Sequence, residues 1–176
     1  MDKAASPEHG ISPSAGTESG QGQAGGRHVV MFSSGAGSWA AAKRVAEQHG
    51  TANLTLLFAD TLIEDEDNYR FLAEAAVNVG GHLEVVAEGR DPWTVFFDVR
   101  YLGNTRIDPC SRVLKRELLR KWLTDERNSE DTTVYLGFDW SESHRLERAQ
   151  GYWEPWRVKA PLCHALYLSK ADALAW

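Results

Sequence analysis

The chain has 176 residues, of which 43% are apolar and 25% are charged, and its formal net charge at neutral pH is −6. This length and composition suit one globular domain with a sizeable core, and no run of residues approaches the roughly 18 apolar positions that a membrane helix needs. The negative charge argues against broad nucleic-acid binding, although it leaves room for a local basic pocket that holds a small anion.

Both the N-terminus and the cysteine content predict a cytoplasmic protein. No basic-then-apolar secretion signal opens the chain, and two cysteines, Cys110 and Cys163, cannot form a disulfide framework. Residues 1–26 are rich in Gly, Ser, Ala, Gln and Pro. We expect them to form a disordered tail, because they cannot bury enough apolar surface to offset ordering. The folded domain is predicted to span residues 27–176.

From residue 28 onward, short apolar runs alternate with helical patterns. Strands that are apolar throughout and alternate with helices predict an α/β fold, a Rossmann-like three-layer sandwich with a mostly parallel sheet of about five strands. The strand patterns are Val29–Phe32, Leu54–Ala59, Leu83–Val86 and Thr132–Leu136. The helix patterns are Trp39–His49, Glu64–Val79, Thr94–Asp98, Ser111–Trp122 and Ser141–Gln150.

The end of the chain carries one further helix signal. Ser169 has the pattern of an N-cap, with Asp172 as its partner, yet the chain stops at Trp176, barely two turns later. A helix so short has little reason to hold by itself. The pattern therefore predicts a domain truncated at its C-terminus.

The first candidate site is the turn between the first strand and an alanine-rich helix. Its glycines let the backbone approach an anion, its serines add hydroxyl donors, and the helix end is positive, which together favour a phosphate or pyrophosphate site. The alternative is an ordinary strand-to-helix turn, where Gly and Ser are common, and the turn matches neither a Walker A loop nor a GxGxxG fingerprint. The turn consists of Ser33, Ser34, Gly35, Ala36, Gly37 and Ser38.

The second candidate is Asp60-Thr61, at the carboxyl end of the second strand. In open parallel sheets, ligands lie beyond the carboxyl ends of the strands. Asp60 could accept a hydrogen bond from a ribose hydroxyl or an adenine amine, or it could simply cap the next helix.

The third candidate surrounds Cys110, which is expected just before a helix. The positive end of a helix can lower a thiol pKa, and the nearby cations Arg112 and Lys115 favour anions. Alternatively, Cys110 is a small buried apolar residue and both cations are solvated.

The fourth candidate follows the fourth strand. Gly137 permits the close approach of a ligand, and Arg145 and Arg148 share a helix face at i,i+3 spacing, where they could clamp a polyanion. Arg145 could equally form a surface ion pair with Glu142.

Two further clusters carry weaker signals. The aromatic run Tyr152–Trp156 could stack a ring or pack a lid onto the core. Cys110, Cys163 and His164 lack the spacing of zinc ligands, and two cysteines are too few for an iron–sulfur cluster, so no metal site is predicted from them.

Taken in order, these motifs resemble the phosphoadenosine phosphosulfate (PAPS) reductase-like branch of the PP-loop, or adenine nucleotide alpha hydrolase-like, superfamily, especially its small phage-encoded members. The resemblance covers about residues 28–176. In the family's SGGxDS loop, Ser34 replaces a Gly and Gly37 replaces the Asp. The other matching positions are Asp60-Thr61 with Tyr69-Arg70-Phe71, Cys110 through Lys115, and Gly137 with Glu142 and Arg145.

The resemblance implies a bound adenine nucleotide, ATP or PAPS, and allows Mg²⁺ beside its phosphates. It implies either reduction of a sulfonucleotide or attack on the ATP alpha-phosphate with release of pyrophosphate. It assigns catalytic roles to Cys110, Lys115 and Arg145. The implied nucleotide-binding residues are Ser33, Ser34, Gly35, Ala36, Gly37, Ser38, Asp60, Thr61, Arg112 and Gly137.

Two departures from the family favour a second reading. The reductase cysteine normally lies in a C-terminal tail, whereas no cysteine follows Cys163, and Gly37 lacks the loop carboxylate. The alternative is a non-catalytic nucleotide-binding module that acts as a sensor or partner subunit. A flavodoxin-like domain without adenine specificity is a third. The partners expected are the nucleotide, a thiol reductant protein and a second copy in a homodimer, with no membrane and no strong nucleic-acid signal.

Overall fold

The computed structural model describes residues 26–102 and 108–164. Almost all of the tail predicted for residues 1–26, and the helix predicted to start at Ser169, lie outside the described residues. The five strands are all parallel, in the order β3-β2-β1-β4-β5, which confirms the α/β three-layer prediction. The strands are β1 (Arg27–Met31), β2 (Leu54–Asp60), β3 (His82–Ala87), β4 (Thr132–Tyr135) and β5 (Arg157–Lys159).

Helices connect successive strands and cover both faces of the sheet. Two segments depart from α geometry: Arg112–Glu117 is a π-helix and Trp140–Arg145 is a 3₁₀-helix. The α-helices are α1 (Ala36–His49), α2 (Glu66–Val79), α3 (Pro92–Val99), α4 (Pro109–Ser111), α5 (Leu118–Glu126), α6 (Leu146–Trp153) and α7 (Pro161–His164).

The core is divided by the sheet into two apolar layers, because successive strand residues point to opposite faces. On β1, Val30 packs with residues of α1 and α2, whereas Val29 packs with residues of α5 and α6. Both valines are fully buried. The sheet therefore carries α1 and α2 on one face and α5 and α6 on the other.

Several element boundaries differ from the sequence-based prediction. The second helix begins at Glu66, because the side chain of Asp65 accepts a hydrogen bond from the backbone N–H of Asp67 and caps it. The single helix predicted over 111–122 is instead three successive helical segments that extend to Glu126. The three-residue strand β5 was not located by pattern, since its length is too short to show alternation.

Candidate functional site

The carboxyl ends of β1 and β4 form the point where the sheet changes direction. The chain leaves β1 for α1 on one face and leaves β4 for α6 on the other, while β1 and β4 remain paired. Such a switch point is where open parallel sheets bind ligands. A cavity of about 410 Å³, here the β1–β4 cavity, opens at this point. Its lining residues are Met31, Ser33, Gly35, Ala36, Gly37, Ser38, Leu136, Gly137, Phe138 and Glu142.

Helix α1 presents its amino end to this cavity. Gly35 is the N-cap residue, and no side chain caps the helix. The first N–H groups of a helix have no intrahelical acceptor, and the residues that carry them here, Ala36, Gly37 and Ser38, line the cavity. Together with the helix dipole, backbone donors of this kind are suited to an anion.

The three loop serines have different roles in the structure. Ser38 is buried, and its hydroxyl donates to the Gly35 carbonyl at 2.8 Å and accepts from the backbone N–H of Ser33 at 3.2 Å. Ser34 has a left-handed φ of 50°, and its hydroxyl donates to Asn68 on α2. Ser33 is exposed and lines the cavity. Ser38 and Ser34 therefore hold the loop in shape, and Ser33, whose hydroxyl also lies 3.3 Å from that of Ser38, is the exposed serine of the cavity lining.

Gly137 brings the loop after β4 against the start of α1. A Cβ at this position would lie 2.6 Å from the backbone nitrogen of Ser38 and 2.8 Å from the carbonyl carbon of Gly37. Backbone atoms cannot move aside as a flexible side chain can. The absence of a side chain at Gly137 thus lets the two loops form one cavity.

The carboxyl end of β2 is organised by Asp60. Its Oδ1 accepts hydrogen bonds from the backbone N–H of Leu62 at 2.8 Å and from the hydroxyl of Tyr69 at 2.7 Å. The hydrogen bond to Asp60 raises the pKa of Tyr69. Since Asp65 caps α2, Asp60 shapes the preceding turn and does not cap the helix.

A polar network links the β1 loop to the end of β2, and two of its members were not predicted. Glu64 accepts from Thr61 at 2.9 Å and from the side-chain amide of Asn68 at 2.8 Å, and Asn68 in turn accepts from Ser34. Lys115 lies 3.5 Å from the same carboxylate. Glu64 was counted in the acidic first turn of the predicted helix, but it precedes the Asp65 cap, and Asn68 lies in the first turn of α2.

Cys110 and Lys115 lie in a separate cavity. This space of about 270 Å³, the Cys110 cavity, is also lined by Thr61, Glu64 and Ser111. Among the described residues, it shares no lining residue with the β1–β4 cavity.

Arg112 is not part of either cavity. Its exposed guanidinium lies 3.0 Å from Glu117, in the same π-helical segment. Among the described residues, Arg112 therefore does not line the β1–β4 cavity or the Cys110 cavity.

Arg145 lies beside the β1–β4 cavity and acts on it through Glu142. The two side chains form an ion pair, and Glu142 lines the cavity. The guanidinium of Arg145 also lies 4.6 Å from the centre of the Phe138 ring, a cation–π contact. The sequence allowed Arg145 either to form an ion pair with Glu142 or to bind a polyanion together with Arg148. The structure shows the ion pair with Glu142.

Cys163 connects α7 to the loop after β4. Its Sγ lies 3.2 Å from the Asp139 carbonyl and 3.4 Å from that of Phe138, within reach as a hydrogen-bond donor. Burial first, and then the carboxylates of Asp139 and Glu142, raise the pKa of this thiol. The group therefore stays protonated at neutral pH and serves as a donor.

A metal held by protein side chains does not fit this site. Among the described residues, no group of three or more His, Cys, Asp or Glu side chains converges as metal ligands do. Asp60 uses only its Oδ1, with Tyr69 and the Leu62 N–H, whereas Glu64 is engaged through both oxygens by Thr61, Asn68 and Lys115.

Comparison with known proteins does not assign a family. No family model matches the chain, and no curated protein matches it either. Within the described ranges, none of the helices is both long enough and apolar enough to cross a bilayer.

Proposed function

We propose that this chain binds an adenine nucleotide, with the phosphates in the β1–β4 cavity against the amino end of α1. The observation that carries the proposal is the uncapped start of a 14-residue helix, which opens into a cavity at the switch point of a parallel sheet. The cavity wall there is formed by small residues, so a phosphate group can reach the backbone donors. The positive end of the helix dipole also stabilises a bound anion.

The nucleoside is proposed to extend toward β2, which lies beside β1 in the sheet. Both hydrogen bonds to Asp60 use Oδ1. Among the described residues, Oδ2 has no hydrogen-bond partner and is left to accept from a ribose hydroxyl or an adenine amine. Asp60 would then combine a structural and a recognition role.

The first candidate reaction is sulfonucleotide reduction or attack at the ATP alpha-phosphate. Lys115 and Cys110, its proposed participants, meet in the Cys110 cavity, which the Thr61–Glu64–Asn68 network joins to the β1 loop. Neither residue lines the cavity in which the phosphates are proposed to lie.

That separation favours a second candidate function, a nucleotide-binding module without turnover. Lys115 is paired with Glu64, and Cys163, whose Sγ contacts the loop that lines the β1–β4 cavity, has a raised pKa that disfavours the nucleophilic thiolate. Release of pyrophosphate from ATP, or of sulfite from PAPS with a thiol donor, would show that the protein is an enzyme. Saturable nucleotide binding without either product would support the nucleotide-binding module.

Calorimetric titration with ATP, PAPS and AMP tests the proposal. We expect micromolar binding of ATP and PAPS and weaker binding of AMP, which carries a single phosphate. Arg145→Ala should weaken all three, because it removes the positive charge that pairs with Glu142 at the cavity wall.

A matched control is Arg70→Ala, which removes the same charge from an exposed ion pair on α2. It should bind like the wild type. Failure of ATP, PAPS and AMP to bind the wild-type protein would overturn the proposal.

A further inference from the structure

A second cavity adjoins the β1–β4 cavity on the far side of Phe138. This space of about 520 Å³, here the arginine cleft, is formed by the π-helical segment, the loop after β4, the 3₁₀ segment and α6. Phe138 lines both spaces, so they share one wall. The other lining side chains that matter here are Arg116, His144, Arg145, Arg148 and Tyr152.

The cleft concentrates positive charge in a chain whose formal net charge is −6. Three guanidinium groups line it, and among the described residues of its lining none is acidic. Arg116 is paired from outside the cleft by Asp108 at 3.0 Å, and Arg145 by Glu142. Arg148 makes no hydrogen bond or ion pair with any part of the chain that the structure describes, and its side chain is exposed. An anion in the cleft would therefore find at least one unengaged guanidinium fork.

Aromatic rings form the rest of the cleft. The guanidinium of Arg145 lies over the Phe138 ring, in a cation–π contact. The guanidinium of Arg120 lies 5.5 Å from the centre of the Tyr152 ring, in a second contact of this kind. Arg120 donates its own hydrogen bonds to the carbonyls of Tyr152 and Glu154, which fixes this arrangement. Flat apolar surface beside guanidinium groups favours a planar ring that carries a negative group, because stacking and charge pairing can act together.

We propose that the arginine cleft binds a second ligand, an aromatic compound bearing a phosphate group, next to the nucleotide. The inference rests on the proposed function for its role, since the shared wall at Phe138 would bring this ligand beside the nucleotide phosphates. Binding in the cleft does not depend on the nucleotide: Arg148 and Arg116 hold the anionic group, and Phe138 and Tyr152 flank the ring. A cleft of this volume accommodates a ring system of nucleobase size together with one phosphate.

The test uses 1-naphthyl phosphate as the probe, titrated into the full chain with its intrinsic fluorescence as readout. Two control compounds each contain one part of the probe. 1-Naphthol has the aromatic ring without the phosphate, and inorganic phosphate has the charge without the ring. We expect saturable binding of the probe and affinities at least about tenfold lower for each part alone, because both contacts are needed.

Substitutions locate the probe in the cleft. Arg148→Ala should lower its affinity by about fivefold or more, and Arg148→Lys should restore part of the loss, because charge returns without the planar fork. Arg157→Ala is the matched control, since Arg157 is exposed on β5 and lines neither cavity. Probe binding that is unchanged in Arg148→Ala would overturn the inference.

Competition with ATP separates this inference from the proposed function. The probe should bind in the presence of saturating ATP with little change in affinity. If ATP binds and displaces the probe one for one, the separate site is overturned while the nucleotide site stands. Should the probe bind through Arg148 and ATP fail to bind at all, the nucleotide proposal fails and the cleft remains.

Discussion

Gly137 and Ser38 are in closer contact than any side chain at position 137 would allow, since a Cβ there would lie 2.6 Å from the Ser38 backbone nitrogen. Ser38 is the third residue of α1, so the contact joins the loop after β4 to the helix end that offers the anion site. The two loops come from neighbouring parallel strands, β1 and β4. Their contact sets the shape of the β1–β4 cavity.

Replacement of Gly137 by Ala should destabilise the protein and impair the cavity together. The added methyl group meets backbone on α1, so the strands must separate or the helix must shift, and overpacking of this kind costs about 1–3 kcal/mol. Thermal and urea unfolding measure the loss in stability. Nucleotide titration at low temperature, where the variant remains folded, measures the loss in binding.

Gly151→Ala is the control for the same chemical change. A Cβ at Gly151 meets no atom within 4 Å, and the residue lies within α6. Alanine should stabilise this helix by up to about 1 kcal/mol. Equal destabilisation by both substitutions would show that the contact between Gly137 and Ser38 has no special role.

Glu142→Gln should strengthen nucleotide binding. The substitution removes a negative charge from the cavity wall and releases Arg145 from its ion pair, so both changes favour a bound anion. We expect ATP affinity to rise about threefold or more at low ionic strength, with the gain shrinking as salt is added. Glu147→Gln, an exposed change on α6, is the control that alters net charge equally. A fall in ATP affinity in Glu142→Gln would place the phosphates elsewhere.

The hydrogen bonds from Cys163 should stabilise the loop after β4. Cys163→Ala leaves two carbonyl groups without this donor and should lower the free energy of unfolding by about 1 kcal/mol, whereas Cys163→Ser keeps a donor and should lose less. Because the pKa of the thiol is raised, its alkylation by iodoacetamide in a Cys110→Ala background should be slow at neutral pH and accelerate in alkali. Fast alkylation at neutral pH would contradict the assignment of a protonated donor.

His28 should make the stability of the protein depend on pH. It stacks on His49 with ring centres 4.1 Å apart and shares a hydrogen bond of 2.9 Å with the Tyr135 hydroxyl. Burial first, and then the charges of His49 and Lys159, lower its pKa below the ordinary 6.5. The unfolded chain then binds the proton more readily than the folded one. The stabilisation is fully present above pH 6.5 and is lost as pH falls from there through the folded-state pKa.

Unfolding curves between pH 7.5 and about 5 test this dependence. His28→Gln should flatten the loss of stability in that range, and His49→Gln should reduce it by a smaller amount, because it removes one of the charges that lower the pKa of His28. A loss that is equally steep in His28→Gln would show that other groups are responsible.

The sheet could be predicted from the sequence because its central strands are apolar on both faces. Val29 and Val30 face opposite helical layers, and both are fully buried, which is what a continuous apolar run in a parallel sheet indicates. The division of the helical region from Pro109 to Glu126 into α4, a π-helix and α5 could not be predicted. Across its π-helical section the buried residues Leu114 and Leu119 are five positions apart, whereas the sequence also offers apolar Leu118 at the ordinary i,i+4 spacing, so the pattern was read as one α-helix.

The candidate site could be predicted in part. Ser33 and Gly137 were each predicted as candidate ligand-binding residues after a strand, and the pairing of β1 with β4 brings both to the lining of the β1–β4 cavity. The separation of Cys110 from that cavity, and the orientation of Ser34 toward Asn68, depend on long-range contacts. Such contacts leave no mark in local sequence patterns.

The most direct test of the account places a charge at the amino end of α1. Ala36 is the first residue of the helix and lines the β1–β4 cavity. Ala36→Glu should leave the fold intact or slightly more stable, by about 0.3–1 kcal/mol, because a carboxylate interacts favourably with the helix dipole. Ala36→Gln supplies a side chain of the same size without the charge. Calorimetric titration with ATP should show binding abolished in Ala36→Glu and only weakened in Ala36→Gln. Equal ATP affinity in wild type and Ala36→Glu would contradict the claim that the phosphates lie at this helix end.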